Sequence, residues 1–338
     1  MVAGEQQKLF FSHIKSVLPA NISLVDEIAE ILNVSNDSAY RRIRGEKPIT
    51  FDEIQILCQH FHISFDRMMD VHSDCTVFYG KNIDGDSFDF ETYLKEILFN
   101  LKQFIGAKHK MLYYEAQDIP LFYHFQFAEL ASFKYFFWMK SVLYYPAFNK
   151  MNFEECELKD ALITTGKEII HAYNQIPSAE LWVLETVNST IRQIEYYAYT
   201  GVVKNKETIA LLYFQLEQLI EHIREQAEHG EKFLIGEKPT GKKNNYQLYC
   251  NEVYLGHNAI MVETDGILTS FINHAVLNFM FTHDDTFCQY SKRAMERNMK
   301  KSVLISSVSE KERNQFFNKM IDNIKYSKSE VLNTNTKY

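Results

Sequence analysis

The first 70 residues place apolar positions at the spacing of short amphipathic helices. Ser35 is placed to cap one helix by accepting a hydrogen bond from the amide of Ser38, and Gly45 ends that helix. Thr50 is placed to cap the next helix in the same way. The pattern therefore predicts a compact unit of five helices, at 10–17, 23–32, 36–44, 51–61 and 64–69.

Helical spacing continues through the middle of the chain. Residues 121–143 are almost all apolar or aromatic, which predicts a helix that is buried on most sides. Gly230 is a plausible stop for the last helix of this region. The predicted helices of the middle region lie at 90–101, 121–143, 158–175, 179–200 and 206–233.

The apolar period changes to that of strands beyond residue 245. Segments 246–254 and 259–264 fit strands, and Asp265-Gly266 before the apolar run ILTSF is a hairpin signal. Ser309 and Glu312 form a capping-box pattern ahead of a helix over 313–326. The chain is therefore predicted to be mainly α, with a long helical middle domain and a small α+β module that contains a hairpin or meander.

Two polar segments, 72–88 and 236–245, separate these regions and predict domains at 1–71, 89–235 and 246–328. The chain has 338 residues, with 12 Gly and 6 Pro against 26 Phe and 20 Tyr, and so few tight turns. This composition disfavours all-β architectures.

The net charge of −8 excludes a generally polybasic protein that coats nucleic acid or anionic membrane. The five cysteines are scattered without a C-x-x-C pair, which disfavours a disulfide scaffold or a cysteine zinc site and fits a reducing compartment. We see neither a signal-peptide pattern nor an apolar stretch long enough to span a bilayer. A cytoplasmic protein without a membrane partner is expected.

The third predicted helix has two different faces. Ala39 and Ile43 would pack against the second helix, and the turn between the two helices has three residues, as a helix-turn-helix needs. The opposite face carries Asn36, Asp37, Tyr40, Arg41 and Arg44, with Arg42 beside it.

The stretch VDEIAEILNVSNDSAYRRIRGEKPITFDEIQILCQHFHISFDRMM resembles the Cro/C1-type (XRE-like) helix-turn-helix of bacterial transcription regulators. The resemblance covers about the first fifth of the chain. It rests on the pattern A-x-x-L-x-V-S, then A-Y-R-R-I-R-G-E, then an amphipathic helix. Asn33 stands where the family usually has Gly, and Asn tolerates the left-handed conformation that this turn requires. Ala39 stands where a larger aliphatic residue is common.

The resemblance implies that the third helix enters the major groove of DNA. Arg41 would be bidentate to guanine, while Arg42, Arg44 and Lys47 would hold phosphates. The implied DNA-binding set is Ser35, Asn36, Asp37, Ser38, Tyr40, Arg41, Arg42, Arg44 and Lys47. The alternatives are a solvated basic face or a protein-binding use of the same fold.

Two groups of histidines have the residue types of a metal site. His257, His274, His283 and Asp284 resemble part of an HD-type phosphohydrolase centre, although the same His-Asp-Asp run also fits a turn and a helix cap. His222, Glu225 and His229 share a helical face, which also fits a solvated charged surface. We expect structural roles for both groups, with neither a cofactor nor catalytic residues.

Residues 121–145 carry more aromatic rings than a plain core requires. Tyr and Trp add polar groups that suit a ligand pocket or a subunit interface, although core packing is their commonest use. The candidate lining of an effector pocket is Tyr123, Phe127, Trp138, Trp182, Tyr196 and Tyr197.

The sequence thus favours a DNA-binding transcription regulator that acts as a homodimer, with a small-molecule effector as a further candidate partner. The alternatives are a metal-dependent hydrolase with an accessory helix-turn-helix, and a non-catalytic interaction scaffold.

Overall fold

A computed structural model describes residues 4–18, 22–61, 63, 76–80, 88–241, 245–253, 258–275 and 277–334. The chain divides into two compact units, Met1–Val77 and Phe78–Tyr338. Among the described residues, no helix is long and apolar enough to cross a membrane.

The described part of the N-terminal unit holds four of the five predicted helices; the fifth, at 64–69, lies outside the described residues. Ser35 accepts a hydrogen bond from the amide of Ser38 at 3.3 Å, as predicted. Thr50 and Glu53 form a reciprocal capping box at the start of the fourth helix. The helices are α1 (Glu5–Val17), α2 (Leu24–Ile31), α3 (Asn36–Ile43) and α4 (Phe51–Phe61).

The turns on either side of α3 depend on left-handed backbone conformations. Asn33 has φ 49°, which confirms its expected role in the turn before α3. Gly45, after α3, has φ 74°, and a Cβ there would lie 3.2 Å from the carbonyl oxygen of Gly4. The chain ends α3 at a position where only glycine avoids both strain and a close contact. Ala39 is fully buried within the small core of this unit.

The second unit contains eight further described α-helices. They are α5 (Phe90–Gly106), α6 (Leu121–His124), α7 (Ala128–Phe137), α8 (Asp160–Asn174), α9 (Asn188–Tyr199), α10 (Lys206–His229), α11 (Asp285–Lys300) and α12 (Glu310–Thr334). A π-helical turn, Trp138–Val142, follows α7 directly. Gly230 ends α10 with φ 65°, as its sequence position predicted.

These helices surround a mixed sheet. Its described strands are β1 (Lys110–Ala116), β2 (Ser178–Val183), β3 (Tyr246–Asn251), β4 (Ala259–Thr264), β5 (Ile267–Ala275), β6 (Asn278–Thr282) and β7 (Val303–Leu304). The strand order is β6-β5-β4-β1-β2-β3-β7. The β1–β2 and β2–β3 pairs are parallel and the other pairs are antiparallel.

The predicted fold class is wrong, because the sheet has seven strands rather than a small hairpin or meander. Strands β1 and β2 come from the region predicted to be a helical domain, and they pair with β4 and β3 from the predicted C-terminal module. Residues 89–235 and 246–328 therefore share one sheet. The predicted helix over 179–200 is a strand up to Val183 and becomes α-helical only at Asn188.

The burial of β2 explains this error. All six of its residues are buried, because a parallel neighbour lies on each side and helices cover the sheet. A run of only six residues that is buried on both faces is too short for its periodicity to separate a strand from a segment of buried helix. The hairpin at Asp265-Gly266 is confirmed: both residues have positive φ, and the turn joins β4 to β5.

A buried carboxylate lies at the centre of the second unit. Glu180, on β2, is 0% exposed. Its Oε1 accepts hydrogen bonds from the hydroxyls of Tyr123, at 2.8 Å, and Tyr173. Its Oε2 accepts from Trp182 Nε1 at 2.9 Å and from the hydroxyl of Tyr246 at 3.3 Å. One side chain therefore connects α6, α8 and β3 to β2.

We predict that Glu180→Gln destabilises the second unit. The amide nitrogen would face donors in place of an accepting oxygen, which should lower the free energy of unfolding by about 2–4 kcal/mol. Urea unfolding of the full chain, followed by tryptophan fluorescence, measures the change. Glu185→Gln, at an exposed nearby position, is the control and should stay within about 0.5 kcal/mol of the parent. Equal stability of the two variants would contradict the role of Glu180.

Candidate functional site

The outer face of α3 presents polar and basic side chains to solvent. Asn36, Asp37, Tyr40, Arg41 and Arg44 are all exposed, as is Ser35 at the N-cap of the helix. The Arg44 guanidinium lies 5.5 Å from the centre of the Tyr40 ring and 3.3 Å from a Glu46 carboxylate oxygen. Six of the nine predicted DNA-binding residues therefore share one solvent-facing surface, which we call the α3 surface.

Arg41 differs from its basic neighbours. Its side chain is exposed, and no described residue forms a hydrogen bond or ion pair with it. All of its guanidinium donors are available to an external acceptor.

Arg42, which was predicted to hold a phosphate, lies on the opposite side of α3 from the α3 surface. It is 5% exposed, and its Nη2 and Nε donate to Glu53 at 2.6 and 3.1 Å. Its Nη1 donates to the carbonyl and the hydroxyl of Ser38. The hydrogen bond from Arg42 holds the pKa of the Glu53 carboxyl below its usual value. Arg42 thus links α3 to α4 through partly buried hydrogen bonds.

Ser38 and Lys47 have intermediate positions. The Ser38 hydroxyl, half-buried, accepts from Arg42 and, at 3.2 Å, from the Lys47 ammonium. An ammonium has three donors, so Lys47 retains capacity for a phosphate oxygen at the edge of the α3 surface.

Two contacts that sequence reasoning missed hold α3 in place. Gln7, on α1, donates from Nε2 to the carbonyls of Arg42 and Lys47 at 2.6 and 2.8 Å, and its Oε1 accepts from the Ile49 amide. Asn36 donates to Asp26, on α2, at 2.8 Å. Gln7 lies 35 residues from Arg42 in sequence, and no local pattern marks such a contact.

The six aromatic candidates for a pocket occupy different environments. Tyr123 and Trp182 are fully buried and bonded to Glu180. Trp138 is 5% exposed, and Phe127 packs on the same core. Tyr197 is buried, and its hydroxyl is hydrogen-bonded to Ser141 at 2.7 Å.

Among the six candidates, only Tyr196 lines the cleft that the structure shows. This cleft, which we call the α9 cleft, has a volume of about 630 Å³. Its lining is Phe137, Lys140, Ser141, Tyr144, Asn149, Ser189, Arg192, Gln193 and Tyr196.

Asp284, His283 and His222, from the two histidine groups, form hydrogen bonds within the fold. Asp284 accepts from the Phe287 amide at 2.8 Å and caps α11, and Nδ1 of His283 is hydrogen-bonded to Thr269. His222 is buried, its Nε2 lies 2.8 Å from the Phe233 carbonyl, and burial lowers its pKa. Within the described ranges no cluster of three or more His, Cys, Asp or Glu could hold a metal ion; His257 lies outside them.

Comparisons of the chain with family models, with curated proteins and with solved structures give no match.

We predict that Arg42→Gln destabilises the N-terminal unit. It would leave Glu53 without its guanidinium partner, which should lower local stability by about 3 kcal/mol. Amide hydrogen exchange of α3 and α4 in the full chain measures this loss. Arg44→Gln is the control, because Arg44 is exposed and its ion pair contributes little. Equal exchange in the two variants would contradict the internal role of Arg42.

Proposed function

We propose that the chain is a sequence-specific DNA-binding transcription regulator. The observation that carries the proposal is the α2–turn–α3 arrangement, in which α3 is held by α1, α2 and α4 and keeps its outer face free. A helix presented in this way fits the major groove of B-DNA. The resemblance of 25–69 to the Cro/C1-type pattern points in the same direction.

Different residues of the α3 surface suit different contacts with DNA. Asn36 and Asp37, at its N-terminal end, offer the donors and acceptors that read base edges. Arg41 supplies the fork that matches guanine, and Arg44 and Lys47 provide charge for phosphates. Acidic residues outnumber basic ones over residues 1–70, so electrostatic attraction to DNA is confined to this surface.

We predict different losses for Arg41→Ala and Arg44→Ala. Arg41→Ala should weaken binding to a selected duplex by about 1–3 kcal/mol and relax the preference at one base pair. Arg44→Ala should weaken specific and random duplexes alike and lower the salt slope by about one unit.

Fluorescence anisotropy at several salt concentrations measures both effects, with a duplex recovered by selection from a random pool. Arg297→Ala, at an exposed position on α11, is the control and should match the parent. Equal, sequence-blind losses for Arg41→Ala and Arg44→Ala would contradict base reading by Arg41. Failure of the selection to enrich any duplex would contradict the proposed function itself.

We also propose that the regulator is a homodimer, because a single N-terminal unit would contact too few base pairs for useful affinity. Leu211 and Phe214, one turn apart on α10, are 39% and 50% exposed. Tyr326, on α12, which packs against α10, is 66% exposed. Exposed large apolar side chains of this kind suit a two-fold contact.

We predict that Phe214→Glu converts the dimer to a monomer. A charge on the contact would have to be buried without a partner, which costs several kcal/mol. Light scattering of the full chain should then give one chain mass, 39.8 kDa, in place of two. Ile267→Glu, at an exposed position of the β4–β5 hairpin, is the control and should remain dimeric. A monomeric parent chain would contradict the assembly.

A further inference from the structure

The α9 cleft has the size and the walls of a small-molecule site. Its volume of about 630 Å³ falls within the range of roughly 300–1,000 Å³ that ligand pockets occupy. Three of its lining residues are aromatic, and two of these, Tyr144 and Tyr196, are 72% and 57% exposed. Such rings offer flat apolar surfaces that remain uncovered by the protein.

The charged side chains that line the cleft are both basic, although the chain as a whole carries −8. Arg192 and Lys140 lie in the lining, and none of the nine lining residues, all of them described, is acidic. Lys140 is fixed by the carbonyls of Phe148, Asn149 and Met151, at 2.9, 2.8 and 3.1 Å. Its charge is thus held in place at the cleft without a carboxylate in contact among the described residues.

Arg192 is the cation that remains open to a ligand. It is exposed on α9, and the described part of the chain provides no hydrogen bond or ion pair to its guanidinium. A planar guanidinium in this state binds carboxylate or phosphate through paired hydrogen bonds.

The backbone on one side of the cleft is strained. The π-helical turn Trp138–Val142 leads into Tyr144, whose φ of 51° is unusual for a bulky side chain. Both features are costly and concentrate at functional sites. Here they expose the Tyr144 ring at the cleft instead of packing it into the core.

A partly buried hydrogen-bond network holds Gln193 and Ser189, two polar residues of the cleft lining. Gln193 accepts from the ammonium of Lys134 at 2.9 Å and donates to Ser189 at 3.2 Å, and Ser189 donates to Asp118 at 3.0 Å. Lys134 is 2% exposed, and its ammonium lies 3.7 Å from Asp118. These two lining residues are therefore preorganised, which lowers the cost of ordering them around a ligand.

We propose that the α9 cleft binds a small organic anion that carries an aromatic ring. Arg192 holds the carboxylate or phosphate of the ligand, and the ring packs against Tyr144 and Tyr196. The proposal is independent of DNA recognition, since none of its residues belongs to the N-terminal unit.

Calorimetric titration of the full chain tests the proposal with three matched sets of probes. The ring-bearing anions are indole-3-acetate and adenosine monophosphate. Indole-3-ethanol and adenosine supply the ring without the charge, and acetate and inorganic phosphate supply the charge without the ring. At least one ring-bearing anion should bind with Kd of about 1 mM or tighter, and its matched partners about tenfold more weakly.

Variants locate the binding in the α9 cleft. Arg192→Gln should lower the affinity for the probe that binds by about tenfold or more, because it removes a charge-assisted pair of hydrogen bonds. Arg297→Gln, on α11, is the control and should leave the affinity unchanged.

Tyr144→Gly separates strain from packing. Glycine adopts the positive φ without cost, so this variant should raise the melting temperature while it weakens the bound probe. A structural role alone would leave probe affinity unchanged. The proposal is overturned if no ring-bearing anion saturates the chain below about 10 mM, if Arg192→Gln leaves the affinity intact, or if phosphate binds as tightly as adenosine monophosphate.

Discussion

Four donors converge on one carboxylate, Glu180, and the architecture of the second unit depends on this convergence. A buried charge is tolerated only when hydrogen bonds replace its water, and here three tyrosines and a tryptophan do so from β2, α6, α8 and β3. Lys232 extends the cluster: it lies 3.7 Å from the centre of the Tyr173 ring and donates to the carbonyls of Tyr173 and Ile176. Burial lowers the pKa of Lys232 to about 7, against the opposing effect of Glu180. The cluster fixes how α8 meets the sheet and so maintains the parallel β2–β3 pairing.

In the N-terminal unit, too, a buried charged side chain joins two helices through hydrogen bonds. The Arg42–Glu53 pair joins α3 to α4, and Gln7 joins α3 to α1. All three guanidinium nitrogens of Arg42 donate within the unit, while Arg41, one position before it, is exposed and Ile43, one position after it, packs on the core. The buried pair therefore sets the rotation of α3 about its own axis, and that rotation decides which residues form the α3 surface.

The contrast between the two units shows which parts of the structure can be predicted from the sequence. The helices of the N-terminal unit follow from contacts within four residues, such as the Ser35 cap and the left-handed Asn33, and these were predicted. The sheet was not, because β2 is buried on both faces and its pairing partners lie 60 or more residues away. Tyr123 and Trp182 were predicted to line a pocket because buried hydroxyls and indole groups need partners. Both groups do form hydrogen bonds, but their partner is the buried Glu180 and not a ligand.

Residue type alone also fails to separate arginines that face different directions. Arg41 and Arg42 are adjacent and chemically identical, but a helix turns by about 100° per residue, and only one of them reaches the interior. Four basic side chains donate hydrogen bonds to carbonyls, carboxylates and side-chain oxygens of the protein itself: Lys134, Lys140, Lys232 and Arg42. Arg41 and Arg192 are left without such partners among the described residues. A guanidinium with five free donors gains most from a planar anion, so both positions are open to a ligand. Each adjoins a surface that carries an exposed tyrosine, in a different unit, so the α3 surface and the α9 cleft can be altered one at a time.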